Sequence, residues 1–374
     1  MRRWGDEEAP QISLIPPSPP RSHSITPHPP LYPSTPYPST LPPTMTTATQ
    51  PLDQVFEAYK HRQVNLTILG TGAWGSGLAH IANANDHRVQ MWSRSSDLSL
   101  EEAVDGAEVI LSAISMKGVP DLVNRLKGLN IPETTVLVTA TKGLDPETTL
   151  TPSVIFQRAF PNHAVAVLSG PNLSKEIEAG LPAATVIACE NEIAAEAVQH
   201  VFAGENFRTY SSTDPLGAEL GGTLKNVIAI AVGVCEGLQL GSNARSALIT
   251  RALPEVMRIG THLGGQPETF LGLSGLGDML ATCTSVLSRN YRVGYGLAQG
   301  KSLEQILGEL GSTAEGVNTA YVLHDIAQRE QISVPISKQV YLLLKGDISA
   351  EEAVAALMER KLKAEDYQEI LQGE

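Results

Sequence analysis

The feature that most constrains this chain is a β-branched apolar run, Val64-Asn65-Leu66-Thr67-Ile68-Leu69, that leads straight into Gly70-Thr71-Gly72-Ala73-Trp74-Gly75. A helical pattern, GSGLAHIANAN over 75–85, follows at once. The glycine spacing alone is weak, because a glycine-rich chain produces it by chance. Its placement between a strand and a helix gives it meaning. There Gly70, Gly72 and Gly75 permit a tight turn, and backbone N–H groups at the helix start face a pyrophosphate. The competing reading is an ordinary glycine turn.

Downstream, strand-like runs alternate with helical ones. RVQMW (88–92), EVILSAIS (108–115), TVLVTATKG (135–143), AVAVLSG (164–170), ATVIAC (184–189) and FRTYSS (207–212) read as further strands. Most are continuously apolar, which predicts a parallel sheet covered on both faces. From about residue 214 the apolar residues recur at helical spacing to the C-terminus. The expected fold class is α/β: an N-terminal Rossmann-like, doubly wound parallel sheet over 60–213 and an all-helical domain over 214–370. No internal repeat is visible.

Residues 1–50 carry prolines every few positions between Pro10 and Pro43, mixed with Ser, Thr and His. Such a stretch has too little apolar surface to offset the entropy of ordering, so a disordered extension with polyproline II character is expected. It has neither the apolar run of a secretory signal nor the Arg-rich amphipathicity of a transit peptide. Two readings stand: an upstream extension of a protein that starts at Met45, and a Pro-rich ligand for an SH3-like partner.

The tail balances Arg2, Arg3 and Arg21 against Asp6, Glu7 and Glu8, so the net charge of −13 sits on the folded part. An acidic body argues against nucleic acid and anionic membrane as partners. Cys189, Cys235 and Cys283 are too scattered for a disulfide framework or a zinc site, which points to a reducing, cytoplasmic compartment. The nine histidines lack ligand spacing, so no metal is expected. The longest apolar run, Val227 to Cys235, is too short to span a bilayer, so no membrane insertion is expected.

Against that acidic background, cations in glycine-rich turns stand out. Trp92-Ser93-Arg94 ends the second strand where an NAD-specific fold usually places an acid. Ser93 would not repel a 2′-phosphate and Arg94 could pair with it, so NADP(H) acceptance is expected; the plain alternative is a solvated strand end. Thr141-Lys142-Gly143 and Ser169-Gly170-Pro171-Asn172 lie at strand ends, where α/β folds bind ligands. Glu219-Leu220-Gly221-Gly222-Thr223-Leu224-Lys225-Asn226 opens a very apolar helix, where Lys and Asn are expensive to bury unless used. Gly272 to Asp278 ends a glycine-rich loop in a single acid, with Thr282 one helical turn on. Asp278 also reads as a simple helix cap. Ser288-Arg289-Asn290 offers a hydroxyl, a fork-shaped cation and an amide in a row, which suits a phosphate.

Together GTGAWG, TKG, SGPN with Ser174-Lys175-Glu176, ELGG-LKN-IAI, GSNARSALITR, GLSGLGD-LATCTS and SRN occur in order over residues 64–365. In this the chain resembles the bacterial-type NAD(P)-dependent glycerol-3-phosphate dehydrogenases. The resemblance implies reduction of dihydroxyacetone phosphate to sn-glycerol 3-phosphate, a small-molecule phosphate substrate, with NAD(P)H as cofactor, for phospholipid synthesis. It implies Lys225 as the catalytic acid/base and Asp278 as the acid that holds it. It places Lys142, Gly170, Asn172, Lys225, Asp278, Ser288, Arg289 and Asn290 on substrate positions. Ala73, Trp74, Arg94, Lys142, Ser174, Arg289, Thr313 and Glu315 fall on cofactor positions. A homodimer is the one assembly entertained. The chain departs from the family in the link Ser95–Ala107, which is much shorter here and predicts a more open nucleotide crevice. It departs also at Asn172 and Ser174, where smaller residues are usual. The rival readings are a ketopantoate-reductase-like enzyme, whose carboxylate substrate gives the SRN triplet less purpose, and a catalytically silent dinucleotide-binding regulator.

Overall fold

The computed structural model describes residues 52–311 and 313–361. The Pro-rich segment, Met45 and the last residues of the expected helical domain, 362–370, lie outside the described residues. In chain order the N-terminal part runs α1 (Leu52–Tyr59), β1 (Asn65–Leu69), α2 (Ala73–Ala84), β2 (Arg88–Trp92), α3 (Leu100–Val104), β3 (Val109–Ser112), α4 (Val119–Lys127), β4 (Val136–Thr139), α5 (Pro152–Ala159), β5 (Val165–Ser169), α6 (Ser174–Glu178), β6 (Ala183–Cys189), α7 (Glu192–Phe202) and β7 (Phe207–Ser212). All seven strands join one sheet in the order β2-β1-β3-β4-β5-β6-β7. Every residue of β3, β4 and β5 is buried, as strands covered on both faces must be, whereas edge strand β2 alternates toward solvent.

The sheet departs at one strand from the parallel arrangement expected of the sequence. The strands from β2 through β5 are parallel, but β6 runs antiparallel to β5, and β7 follows β6 in parallel. The chain between β5 and β6 contains only the five-residue helix α6. So short a helix cannot carry the chain back along the sheet, as a parallel crossover requires, and the strand simply returns. Helix α1 is also unannounced by the sequence pattern. It packs on α7 and buries Phe56 and Tyr59 in one core cluster with Leu66 and Ile68 of β1, and the Tyr59 hydroxyl donates to the Thr134 carbonyl at 2.9 Å.

The short link after Arg94 is folded rather than slack. Ser99 and Glu102 form a capping box that starts α3, and Leu100, Ala103 and Val104 are buried against the sheet. The Trp92 indole donates to the Leu98 carbonyl at 2.9 Å and the Thr67 hydroxyl to the Ala103 carbonyl at 2.6 Å. The chain thus passes over β1 to reach β3, and the sheet's crevice opens at the carboxyl ends of those two strands.

Among the described residues after β7 all regular elements are helical: α8 (Pro215–Gly237), α9 (Gly241–His262), α10 (Asp278–Cys283), α11 (Arg289–Ala298), α12 (Leu303–Leu310), α13 (Glu315–Arg329), α14 (Pro335–Lys345) and α15 (Ala350–Met358). Helix α8 is the axis of this part and is buried along nearly its whole length. At 23 residues it is long and apolar enough to cross a membrane by length and composition, longer than the apolar run alone suggests. Here that apolar surface is covered by neighbouring helices, and the helix carries buried Glu219, Lys225 and Asn226. Its contact with α11 is close enough that a β-carbon at Gly294 would lie 1.9 Å from the Ile230 carbonyl oxygen. That crossing sets Arg289, at the start of α11, beside the helix that bears Lys225.

Candidate active site

The first half of the site is the turn between β1 and α2. Gly70 has φ +128°, and its N–H donates to the Trp92 carbonyl at 2.8 Å. A β-carbon at Gly75 would lie 2.0 Å from the Gly70 carbonyl oxygen, so the helix can press on the turn only because residue 75 is glycine. At Gly72, by contrast, a β-carbon would meet nothing within 4 Å. Helix α2 begins there without a side-chain cap, and no acid stands in its first turn. An uncapped, uncrowded helix N-terminus at the sheet crevice fits a dinucleotide pyrophosphate. Ala73 is exposed in the first turn and Trp74 is half-buried against the core. We predict that Gly75→Ala lowers stability by about 1–3 kcal/mol through forced overpacking. It should also weaken NADPH binding strongly; thermal unfolding and calorimetric titration check the two effects.

The second half gathers at the ends of β4 and β5. Lys225, on α8, and Asp278, in the first turn of α10, are both buried, with Nζ and Oδ1 3.1 Å apart. The Lys225 ammonium also donates to the Thr282 hydroxyl, which in turn donates to Asp278 Oδ1 at 3.2 Å. Lys142, beyond β4, reaches the other carboxylate oxygen of Asp278 at 2.5 Å and the Gly170 carbonyl at 3.4 Å. One carboxylate therefore serves two ammonium groups drawn from sequence positions far apart. Burial pushes the Lys225 ammonium down to about 8; the Lys142 charge acts in the same direction and the Asp278 charge opposes both. Gly222 makes the approach possible, since a β-carbon there would sit 3.1 Å from Lys142 Cε and 2.6 Å from Ser169 Oγ. That Ser169 hydroxyl is buried beside Lys142 and makes no hydrogen bond.

The structure does not gather every expected ligand as a free group. The Asn172 amide is engaged with β6, donating to the Ala184 carbonyl at 3.1 Å and accepting from the Thr185 hydroxyl at 2.9 Å. Asn290 is likewise engaged. Its amide donates to Asn226 Oδ1 at 2.9 Å, and its oxygen accepts from the Gly316 N–H at 3.0 Å. The Ser288 hydroxyl caps α11 by accepting from the Tyr291 N–H at 3.2 Å. Arg289 is exposed at the first residue of that helix, and its charge is felt by Glu315. Glu315 starts α13 and accepts a hydrogen bond from the Met116 N–H; burial is the main cause that raises its carboxyl. Thr313 is exposed just before it, Ser174 is half-buried at the start of α6, and Arg94 is exposed beyond β2.

Two participants escaped the sequence reading. The Thr223 hydroxyl accepts from the Gly143 N–H at 3.0 Å, tying the Lys142 segment to α8. Glu219 accepts from the Ser153 N–H and hydroxyl at the start of α5. Burial pushes its carboxyl up to about 7 against those bonds. Neither had a legible signal beyond a polar residue in an apolar helix.

A glycine-bearing turn on a Rossmann-type sheet, together with a lysine–carboxylate cluster that joins a strand-end lysine to two helices of the helical part, fits a two-domain, nicotinamide-dependent dehydrogenase. Sequence comparison is more specific. The N-terminal domain of NAD-dependent glycerol-3-phosphate dehydrogenase matches residues 65–99 and 95–195, and its C-terminal domain matches 214–355. The chain is 65% identical over 300 residues to a glycerol-3-phosphate dehydrogenase [NAD(P)+] of Synechocystis sp., covering 80% of this chain and 95% of that one. Identity to the enzyme of the same name from Acaryochloris marina is 63%, with 80% and 97% covered. A solved glycerol-3-phosphate dehydrogenase from Coxiella burnetii superposes with TM-score 0.76 at 33% identity, covering 80% of this chain and 99% of that one. The chain belongs to the NAD-dependent glycerol-3-phosphate dehydrogenase family.

Proposed function

We propose that this protein reduces dihydroxyacetone phosphate to sn-glycerol 3-phosphate with NAD(P)H, with Lys225 as the proton donor. The observation that carries the reading is the buried cluster in which Asp278 meets both Lys225 and Lys142. A nicotinamide held in the crevice beside the β1–α2 turn would supply hydride to C2 of the ketone. Lys225 gives its proton to the C2 oxygen as charge develops there, so ketone plus hydride plus proton yields the alcohol. An ammonium held near 8 is charged at neutral pH yet releases its proton readily. Asp278 keeps that ammonium in place, and Lys142 brings a second positive charge to the same pocket. The substrate phosphate is assigned to the first turn of α11, where Arg289 is exposed and the helix N-terminus favours an anion. Asn172, Ser288 and Asn290 serve mainly by shaping the walls, since their side chains are already engaged.

The cofactor side is assigned to Gly70, Gly72, Ala73, Trp74 and Gly75 for the pyrophosphate, with Ser174, Thr313 and Glu315 along the crevice. Ser93, whose hydroxyl lies near those of Ser95 and Ser96, presents no acid to a 2′-phosphate. Arg94→Ala is therefore expected to raise KM for NADPH about tenfold and to leave KM for NADH nearly unchanged. A native preference for NADH of tenfold or more would reject the NADPH assignment.

The same reading assigns the dinucleotide domain to 60–213 and the substrate domain to 214–370, in a cytoplasmic enzyme that supplies phospholipid synthesis. Neither nucleic acid nor membrane is a partner, and a homodimer is the proposed assembly. The test is oxidation of NADPH and NADH, in parallel, by purified protein on addition of dihydroxyacetone phosphate. Cofactor binding without turnover would instead favour the silent regulator.

A further inference from the structure

Lys142 reaches Asp278 from a segment that has no regular structure of its own, residues 140–151 between β4 and α5. This segment is internally braced. Asp145 accepts from the Thr148 N–H at 2.9 Å and the Thr148 hydroxyl at 2.6 Å, and its own N–H donates to the Leu150 carbonyl at 2.9 Å. Gly143, at φ +144°, joins Lys142 to this braced piece. The near end is fastened twice: Gly143 N–H to Thr223, and the Asn318 amide to the Leu144 carbonyl at 2.9 Å. A rigid piece held only at one end pivots about that end. The far end is fastened by Glu219, whose carboxylate takes the Ser153 N–H at 3.1 Å and the Ser153 hydroxyl at 2.5 Å. Glu219 and Thr223 stand one turn apart on one face of α8, the helix that also bears Lys225.

We infer that Glu219 is a positioning residue for the reaction: by anchoring Ser153 it stops the 140–151 segment from pivoting at Gly143 and so sets Lys142 on Asp278. A buried carboxylate at a helix start could be wholly structural, and the protein contains the control for that. Glu255, on α9, makes the same kind of bond to the start of α14, accepting from the Ile336 N–H at 2.9 Å, the Ser337 N–H at 2.8 Å and the Ser337 hydroxyl at 2.6 Å. Both glutamates are buried, both helices begin with proline, and only Glu219 holds the lysine-bearing segment.

The experiment compares Glu219→Gln with Glu255→Gln in the full-length protein, measuring Tm, kcat/KM for dihydroxyacetone phosphate, and the pH profile of kcat/KM. Both variants should lose comparable Tm. Glu219→Gln should lower kcat/KM about tenfold or more, as small misplacements of site groups do. Its alkaline limb should also move to higher pH, because Lys142 no longer stands where it helps to depress Lys225. Glu255→Gln should leave kcat/KM within about twofold and the limb in place. If Glu219→Gln does not fold, Ser153→Ala removes one donor from the same anchor and should shift both readouts in the same direction. Indistinguishable Gln variants, or a folded Ser153→Ala with native kcat/KM and limb, overturn the inference. It rests on the function proposed above; a wild-type protein without turnover would sink that reading first and is seen in the same assay.

Discussion

Lys225→Ala is expected to lower kcat for dihydroxyacetone phosphate reduction on the order of a thousandfold, the scale of a lost general acid. The Kd for NADPH should stay within about threefold, because the cofactor cradle lies on β1 and α2 and makes no use of this side chain. Truncation takes away one of the two ammonium partners of Asp278, and Lys142 still neutralises that carboxylate, so the variant should remain folded. Steady-state kinetics and calorimetric cofactor titration together check the claim. A variant with near-native kcat would remove Lys225 from its role, whereas lost cofactor binding would show that the residue shapes the crevice instead.

Asp278→Asn is expected to be nearly as damaging for a different reason. The change keeps the side-chain shape but leaves Lys142 and Lys225 facing each other without the carboxylate between them. Removing one member of a buried ion pair typically costs about 3 kcal/mol or more, and denaturant unfolding at neutral pH should show a loss of that size. In the native protein the Asp278 charge holds the Lys225 proton on, against burial and Lys142. Without it the pKa of Lys225 falls further, so activity should drop about a hundredfold at neutral pH and recover partly at lower pH. Loss of activity with an unmoved pH profile would mean that Asp278 orients Lys225 without tuning it.

How far the sequence could be read follows from where each signal resides. The β1–α2 turn was legible because Gly70 and Gly75 answer backbone demands within a few residues of each other. Lys225 and Asp278 were legible because charge in apolar or glycine-rich surroundings demands a use. The meeting of Lys142 with Asp278 was not, since two charged residues 136 positions apart leave no local trace of each other. The same holds for Ser153 with Glu219 and for Gly143 with Thr223. Strand direction at β6 was hidden for another reason: a continuously apolar strand looks the same whichever way it runs, and only the short return through α6 decides. Asn172 and Asn290 each hold protein partners on distant segments, and those pairings leave no local trace in the sequence either.

Reduction requires the buried Lys225 in its protonated form. The measurement that reaches this most directly is the pH dependence of kcat/KM for dihydroxyacetone phosphate reduction by the wild-type protein with saturating NADPH. A folded-state pKa near 8 predicts a plateau at neutral pH and a tenfold fall per pH unit above about 8, as Lys225 loses its proton before the ketone is reduced. A rate that stays flat to about pH 10, where an ordinary exposed lysine would only begin to titrate, would contradict it.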